Sequence, residues 1–177
     1  MKNMKLDLAL QNPFNFDSVP KLTDCQHWVE KTLVSASSDQ HFEKQYALVV
    51  RFVDEKEGIA LNHAYRHKDQ ATNVLSFPYE APDFNLEGVN IAGVDLAGEE
   101  NYLGDLVLCE PVVREEALQQ HKKLQQHWAH LIIHGTLHLK GYDHVNDEDA
   151  TIMEALEVKI LKGLGFNNPY LDNKQDE

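Results

Sequence analysis

Tyr46-Ala-Leu-Val-Val-Arg-Phe-Val53 runs without a break into Asp54-Glu-Lys-Glu57. The first part is rich in β-branched and aromatic residues and reads as a strand. Asp54 is an N-cap acid with Glu57 three residues on, so it opens a helix that runs to about Arg66 or His67. Before this unit, Leu6-Asp-Leu-Ala-Leu10 alternates like a half-buried strand, and Val19 to Ala36 carries helical spacing at Leu22, Cys25, Trp28, Val29 and Leu33. After it, Asn73-Val-Leu-Ser-Phe77 reads as a third strand stopped by Pro78, and Tyr102 to Cys109 as a fourth. Pro111 suits the first turn of a helix. The helical pattern then extends from Val112 to Leu139 with a break near Lys122 to Gln125, and Asp147-Glu-Asp-Ala opens a last helix closed by Gly163 and Gly165. The order strand-helix-strand-helix-strand-strand-helix-helix-helix predicts an α+β fold. It is an α/β sandwich, a mixed sheet of about four strands with helices packed on it. Residues 1–170 are expected to form one domain and 171–177 a polar tail.

Composition sets the outer limits. At 177 residues, 42% hydrophobic and 25% charged, the chain is long enough for a full core and ordinary for a globular protein. It has no run of about 20 apolar residues, and Met-Lys-Asn-Met-Lys-Leu-Asp lacks the apolar stretch of a signal peptide, so a cytoplasmic protein without a membrane partner is expected. Cys25 and Cys109 stand far apart and form no C-x-x-C pair; both read as small buried residues. The net charge of −13 argues against a broad phosphate-binding surface. It is uneven, however. Residues 80–110 carry eight acids and no base, whereas residues 111–142 carry Arg114, Lys122, Lys123 and Lys140 against two acids. The acidic stretch 80–101 is longer than a simple connection needs and is a candidate to shield or gate a groove.

The chemistry is concentrated in His134-Gly-Thr-Leu-His138-Leu-Lys-Gly141-Tyr-Asp-His144. Residues four apart on a helix share one face about 6 Å apart along the axis, so His134 and His138 form a pincer for one ion. Gly141 can take the left-handed conformation that ends a helix and delivers His144 to the open side. With ten His in 177 residues, a triad at this spacing is expected by chance only about 0.03 times. Three neutral nitrogens with a place left for water describe one catalytic Zn2+ rather than a structural site, which normally adds thiolates. Isolated H-x3-H pairs carry far less weight. His63/His67 and His130/His134 read equally well as solvated or packed histidines.

A zinc ion makes water ionise near pH 7 and polarises carbonyl or phosphoryl oxygens, so hydrolysis is the economical inference. The same spacing occurs in zincin peptidases, where a Glu after the first His is the general base. Here that place is Gly135; without the carboxylate, peptide hydrolysis loses its proton acceptor, commonly a factor of about 10² to 10⁴ in rate, which weakens a zincin-like metallopeptidase reading.

HGTLHLKGYDH at residues 134–144, preceded by HWAH at His127 to His130, resembles the signature of the YbeY endoribonucleases, also called rRNA maturation factors. The segment from Leu61 to Pro78, with Arg66 ahead of Thr72-Asn-Val-Leu-Ser-Phe-Pro78, resembles that family's other signature. So do Gly104-Asp105 with its strand, and the ending from Glu154-Ala-Leu-Glu157 to Pro169-Tyr170. The resemblance implies a single-domain protein with a zincin-like metal helix that binds zinc through His134, His138 and His144. It also implies single-strand-specific cleavage of RNA in 16S rRNA 3′-end maturation and ribosome quality control, with ribosomal or small-subunit proteins as partners. It points to Arg66 as the other functional residue, whose planar fork suits charge on phosphate oxygens. Without the resemblance, Arg66 has a second reading as a helix C-terminal residue answering the dipole. A ribosome-assembly factor with a structural metal is the reading from a different class.

The remaining candidates have ordinary readings beside the functional ones. Asp143 can orient an imidazole or form a turn, and His130 can carry a proton or simply pack. Asp105 can sit near the site or start a strand. Thr72 and Asn73 can meet substrate or make a turn, and Trp128 is expected in the core rather than under a base.

Overall fold

The computed structural model describes residues 4–37, 44–80 and 101–171, with only the backbone of Asn101. Nine elements follow in the expected order: β1 (Lys5–Gln11), α1 (Leu22–Ala36), β2 (Gln45–Val53), α2 (Glu55–Arg66), β3 (Val74–Pro78), β4 (Asn101–Cys109), α3 (Glu110–Gln119), α4 (Leu124–Leu139) and α5 (Asp147–Gly163). The start of α2 forms as its sequence dictates, with the Asp54 carboxylate accepting the Glu57 N–H at 2.8 Å. The acidic stretch considered above as a gate, and the polar tail, lie almost wholly outside the described residues.

The strands form one mixed sheet in the order β1-β2-β4-β3. β1 and β4 both pair with β2 in parallel, while β3 runs antiparallel to β4. This places β3 at one edge. The larger core lies on the face covered by α1, α4 and α5, where Phe52 meets Trp128 edge-to-face at 5.3 Å among Trp28, Leu48, Leu106, Leu108 and Ile132. Such an edge-to-face pair adds roughly 0.5–1.5 kcal/mol to the burial itself. Val53, Leu75, Val107 and Cys109 form a smaller cluster on the other face, with Leu61 of α2 and Val112 of α3 against it. Trp128 is thus a core residue, and its Nε1 donates to the Ser18 carbonyl at 2.9 Å. Both cysteines are buried and free, and burial pushes their thiols up to about 12 and about 11, so neither is a ready nucleophile.

α4 is the central helix. Its sequence is apolar nearly all round, and most of it is buried. Gly135 is where it comes closest to the sheet: a Cβ there would lie 2.8 Å from Leu106 Cδ2 and 3.2 Å from Ser76 Oγ. The glycine therefore serves packing, and no side chain has room in the position that zincin peptidases give to their general base.

Candidate metal centre

His130, His134 and His138, spaced four apart, form a polar stripe on α4, and the stripe faces a cavity of about 760 Å³. The end of the helix adds the third imidazole of the triad. Gly141 has φ +95°, its N–H donates to the His138 carbonyl, and the Tyr142 N–H donates to the Leu137 carbonyl. This double bond pattern is a Schellman turn, and nothing lies within 4 Å of the place a Cβ would take, so the demand on Gly141 is conformational rather than steric. The turn does two things. It brings the His144 ring centroid to 4.9 Å from His138 and 5.6 Å from His134, and it aims the Tyr142 carbonyl at His138 Nδ1, 2.9 Å away.

The hydrogen bonds assign the tautomers. A backbone carbonyl only accepts, so His138 Nδ1 carries a proton and donates to Tyr142. Glu157 of α5, fully buried, lies 2.5 Å from His134 Nδ1, so that nitrogen donates as well. Both Nε2 atoms therefore point lone pairs into the site, and they face each other at 3.0 Å. Two lone pairs at that separation repel unless a cation sits between them. Burial, with the neighbouring His134 and His144 imidazoles, holds His138 below its ordinary value, which disfavours a proton in that role. A metal ion satisfies the geometry without that cost.

Two groups of described residues bring one ligand atom each within 4.8 Å of one another: His134, His138 and His144, and His130, His134 and Glu157. Chemistry separates them. In the second group the members already satisfy each other, with His130 Nε2 3.0 Å from Glu157 Oε2 and His134 Nδ1 on Oε1. The Tyr170 hydroxyl also donates to Glu157. Burial alone would push the Glu157 carboxyl up, but bonds from His130, His134 and Tyr170 and the charge of His134 outweigh it and hold it down to about 2. Glu157 stays ionised and orients His134, the carboxylate-histidine arrangement that supports metal ligands. The first group retains free lone pairs and is the one suited to an ion.

Arg66 and Thr72 line the same cavity, together with Asn73, Ser76 and Phe77 from the β3 side. The Arg66 side chain forms no hydrogen bond or ion pair among the described residues, so its guanidinium is available. Other candidates fall into ordinary roles. Asp143 accepts the His144 backbone N–H at 2.7 Å, with its Oδ1 3.6 Å from His144 Nδ1. Asn73 is a tie to Glu116 at 3.1 Å, and Glu116 also holds His127 at 2.8 Å. Asp105 bonds the Tyr102 hydroxyl and does not line the cavity. His63 pairs with Asp69, and His67 ends α2 in a left-handed conformation at φ +57°, so the H-x3-H pair there gathers no ligand set. Sequence reading did not single out Glu157 or Tyr170 as members of the site. Glu157 lies 23 residues beyond His134, and only its spacing from Met153, Ile160 and Leu161 on the buried face of α5 hinted that this acid points inward.

The chain matches the family model described as Endoribonuclease YbeY over residues 12–165. It is 50% identical over 171 residues to an Endoribonuclease YbeY from Pseudomonas putida, covering 97% of each chain. It is 49% identical over 152 residues to one from Hydrogenovibrio crunogenus, covering 86% of this chain and 88% of that one. The fold is similar to the solution structure of a Thermotoga maritima protein, with a TM-score of 0.51 at 20% identity over 98% of this chain and 99% of that one.

Proposed function

Since this chain belongs to the YbeY endoribonuclease family, we propose that it is a single-strand-specific endoribonuclease dependent on one zinc ion. His134, His138 and His144 hold the ion, and Arg66 meets the phosphodiester. The observation that carries the reading is the pair of opposed Nε2 lone pairs 3.0 Å apart, in the wall of a cavity that Arg66 also lines. A tetrahedral zinc with Zn–N near 2.0–2.1 Å holds two nitrogens about 3.3 Å apart, close to this spacing. Three imidazoles without a thiolate are the donor set of a catalytic ion that leaves a coordination position open. When bound, such an ion supplies Lewis acidity, polarising a phosphoryl oxygen and making water ionise near neutral pH.

The chain's own groups do the rest. Glu157 and the Tyr142 carbonyl hold the two helical imidazoles in one tautomer. The Arg66 fork stabilises charge that develops on the phosphate oxygens, and removing one such donor costs about 10²- to 10³-fold in rate. The family resemblance supports a role in 16S rRNA 3′-end maturation and ribosome quality control, in the cytoplasm and with small-subunit proteins as partners. Among the described residues no helix is long and apolar enough to cross a membrane.

The test is cleavage of a single-stranded RNA by wild type, His138→Ala and Arg66→Ala, with metal analysis of each. Wild type carries zinc and cuts; His138→Ala loses both; Arg66→Ala keeps zinc and cuts at least 100-fold more slowly, an estimate from the donor cost. Equal cutting by all three refutes the reading. A folded, metal-free His138→Ala protein that still supports ribosome maturation would favour the assembly-factor alternative.

A further inference from the structure

Tyr65, in the last turn of α2, is 66% exposed, yet its ring is not loose. It meets the ring of Phe77 on β3 edge-to-face, with centroids 4.8 Å apart and 64° between planes. Phe77 in turn lines the cavity of the histidine triad alongside Arg66. The exposed ring thus sits at the rim where α2 ends beside the sheet edge, and its seat continues into the site. Two cations follow it closely in sequence. Arg66 and Lys68 are both exposed, and neither side chain has a hydrogen-bond or ion-pair partner among the described residues. The acid of this turn, Asp69, is engaged by His63 at 2.5 Å. In a chain of net charge −13, a braced aromatic ring followed closely in sequence by two exposed cations is a local reversal that an anionic strand would recognise.

We infer that Tyr65, seated on Phe77 and followed in the chain by Arg66 and Lys68, is a stacking subsite for one unpaired base of an RNA strand whose phosphate backbone passes Arg66 into the cavity. The inference rests on the endoribonuclease reading and adds to it the groups that select a single strand. Aromatic faces take any base, because every base has a π-face, but only a base released from its own stack can reach them. In a duplex the bases are stacked on one another and the ring has nothing to receive. An aromatic residue followed by an arginine and a lysine supplies the two kinds of group that suit the base and the phosphate alternating along a strand. Tyr65 is a binding residue in this account and takes no part in the chemical step.

The experiment uses the zinc-loaded full chain. KM and kcat are measured on a short single-stranded RNA for wild type, Tyr65→Phe, Tyr65→Leu and Tyr65→Ala. The inhibition constant of an abasic ribose-phosphate strand of the same length is measured for each. Stacking of one base on one ring accounts for about tenfold or more in affinity. Tyr65→Ala and Tyr65→Leu should therefore raise KM about tenfold with kcat within about twofold, while Tyr65→Phe matches wild type. The abasic strand, having no base, should inhibit all four equally. Leucine keeps an apolar contact with Phe77, so a variant with an intact fold still reports the loss of the ring. An unchanged KM in Tyr65→Ala overturns the inference, as does a wild-type KM in Tyr65→Leu or a parallel weakening of the abasic strand. A concentration-dependent dimer that Tyr65→Ala dissolves would assign the surface to a second copy and overturn it too. Failure of the wild type to cut any RNA defeats the endoribonuclease reading itself, which these variant results alone do not.

Discussion

Replacing Glu157 by Gln tests the support of the triad with the least change of shape. The carboxylate is fully buried and receives three donors, His134 Nδ1, His130 Nε2 and the Tyr170 hydroxyl. An amide offers one acceptor oxygen and turns its NH2 towards groups that are themselves donors. His134 then loses its fixed tautomer in part of the population, and its Nε2 is no longer always a lone pair. Loss of such a supporting carboxylate costs about 10- to 100-fold in metal affinity, or about 1.4–2.7 kcal/mol. The larger figure is expected, because Glu157 serves three groups at once. Competition against a chelator of known zinc affinity measures this, and the visible spectrum of the cobalt-loaded protein reports any change of ligand geometry. Zinc affinity within twofold of wild type would refute the reasoning. The metal-free protein gives an independent check. The Glu157 carboxyl is ordinary at 4.5 when unfolded and held down to about 2 when folded, so the unfolded chain binds more protons between these values. Its stabilising contribution is present above 4.5 and is lost as pH falls towards 2. Wild type should therefore lose stability more steeply than Glu157→Gln over that window in urea titrations.

Changes at three further residues probe the framework. Gly141→Ala meets open space but must hold φ +95°, so it should cost about 1–2 kcal/mol in urea unfolding, and weaker zinc binding should follow from the displaced Tyr142 carbonyl. Gly135→Ala places a methyl 2.8 Å from Leu106 Cδ2 and should cost about 1–3 kcal/mol by overpacking; Gly135→Glu should leave casein uncut, since that position faces the sheet. Glu116 is pushed up by burial, but bonds from His127 and Asn73 and the charges of His127 and Lys122 outweigh this and hold it below its ordinary 4.5. Its contribution is thus lost on acidification below that value, and the thermal midpoint of Glu116→Gln should fall less than that of wild type as the pH is lowered below 4.5.

Local signals carried most of the fold. The Asp54 cap, Pro111, the break before Leu124 and Gly141 each act within a few residues, and each produced the element boundary its chemistry requires. The order of strands was not legible in the same way. β4 inserts between β2 and β3, and that choice is made by side-chain packing across the sheet rather than by any local pattern. The clustering of His134, His138 and His144 was legible because a helix and its terminating turn fix all three within a span of eleven residues. Glu157 was not, because it is one acid among many in an acidic segment and reaches His134 only through the packing of α5 on α4. His130 shows the limit of pair counting. Read as a packed histidine, it is packed, but against Glu157 and in the cavity wall. Asp105 shows the opposite case, since a strand acid that could have entered the site bonds Tyr102 instead.

The most direct measurement is a titration of metal-stripped protein with zinc, following cleavage of a single-stranded RNA and zinc bound per chain in the same samples. Activity that rises in proportion to zinc and stops at one ion per chain, and is absent in His138→Ala at any zinc concentration, is the predicted result. Full cleavage by the stripped protein, or activity in His138→Ala equal to wild type, would contradict the account.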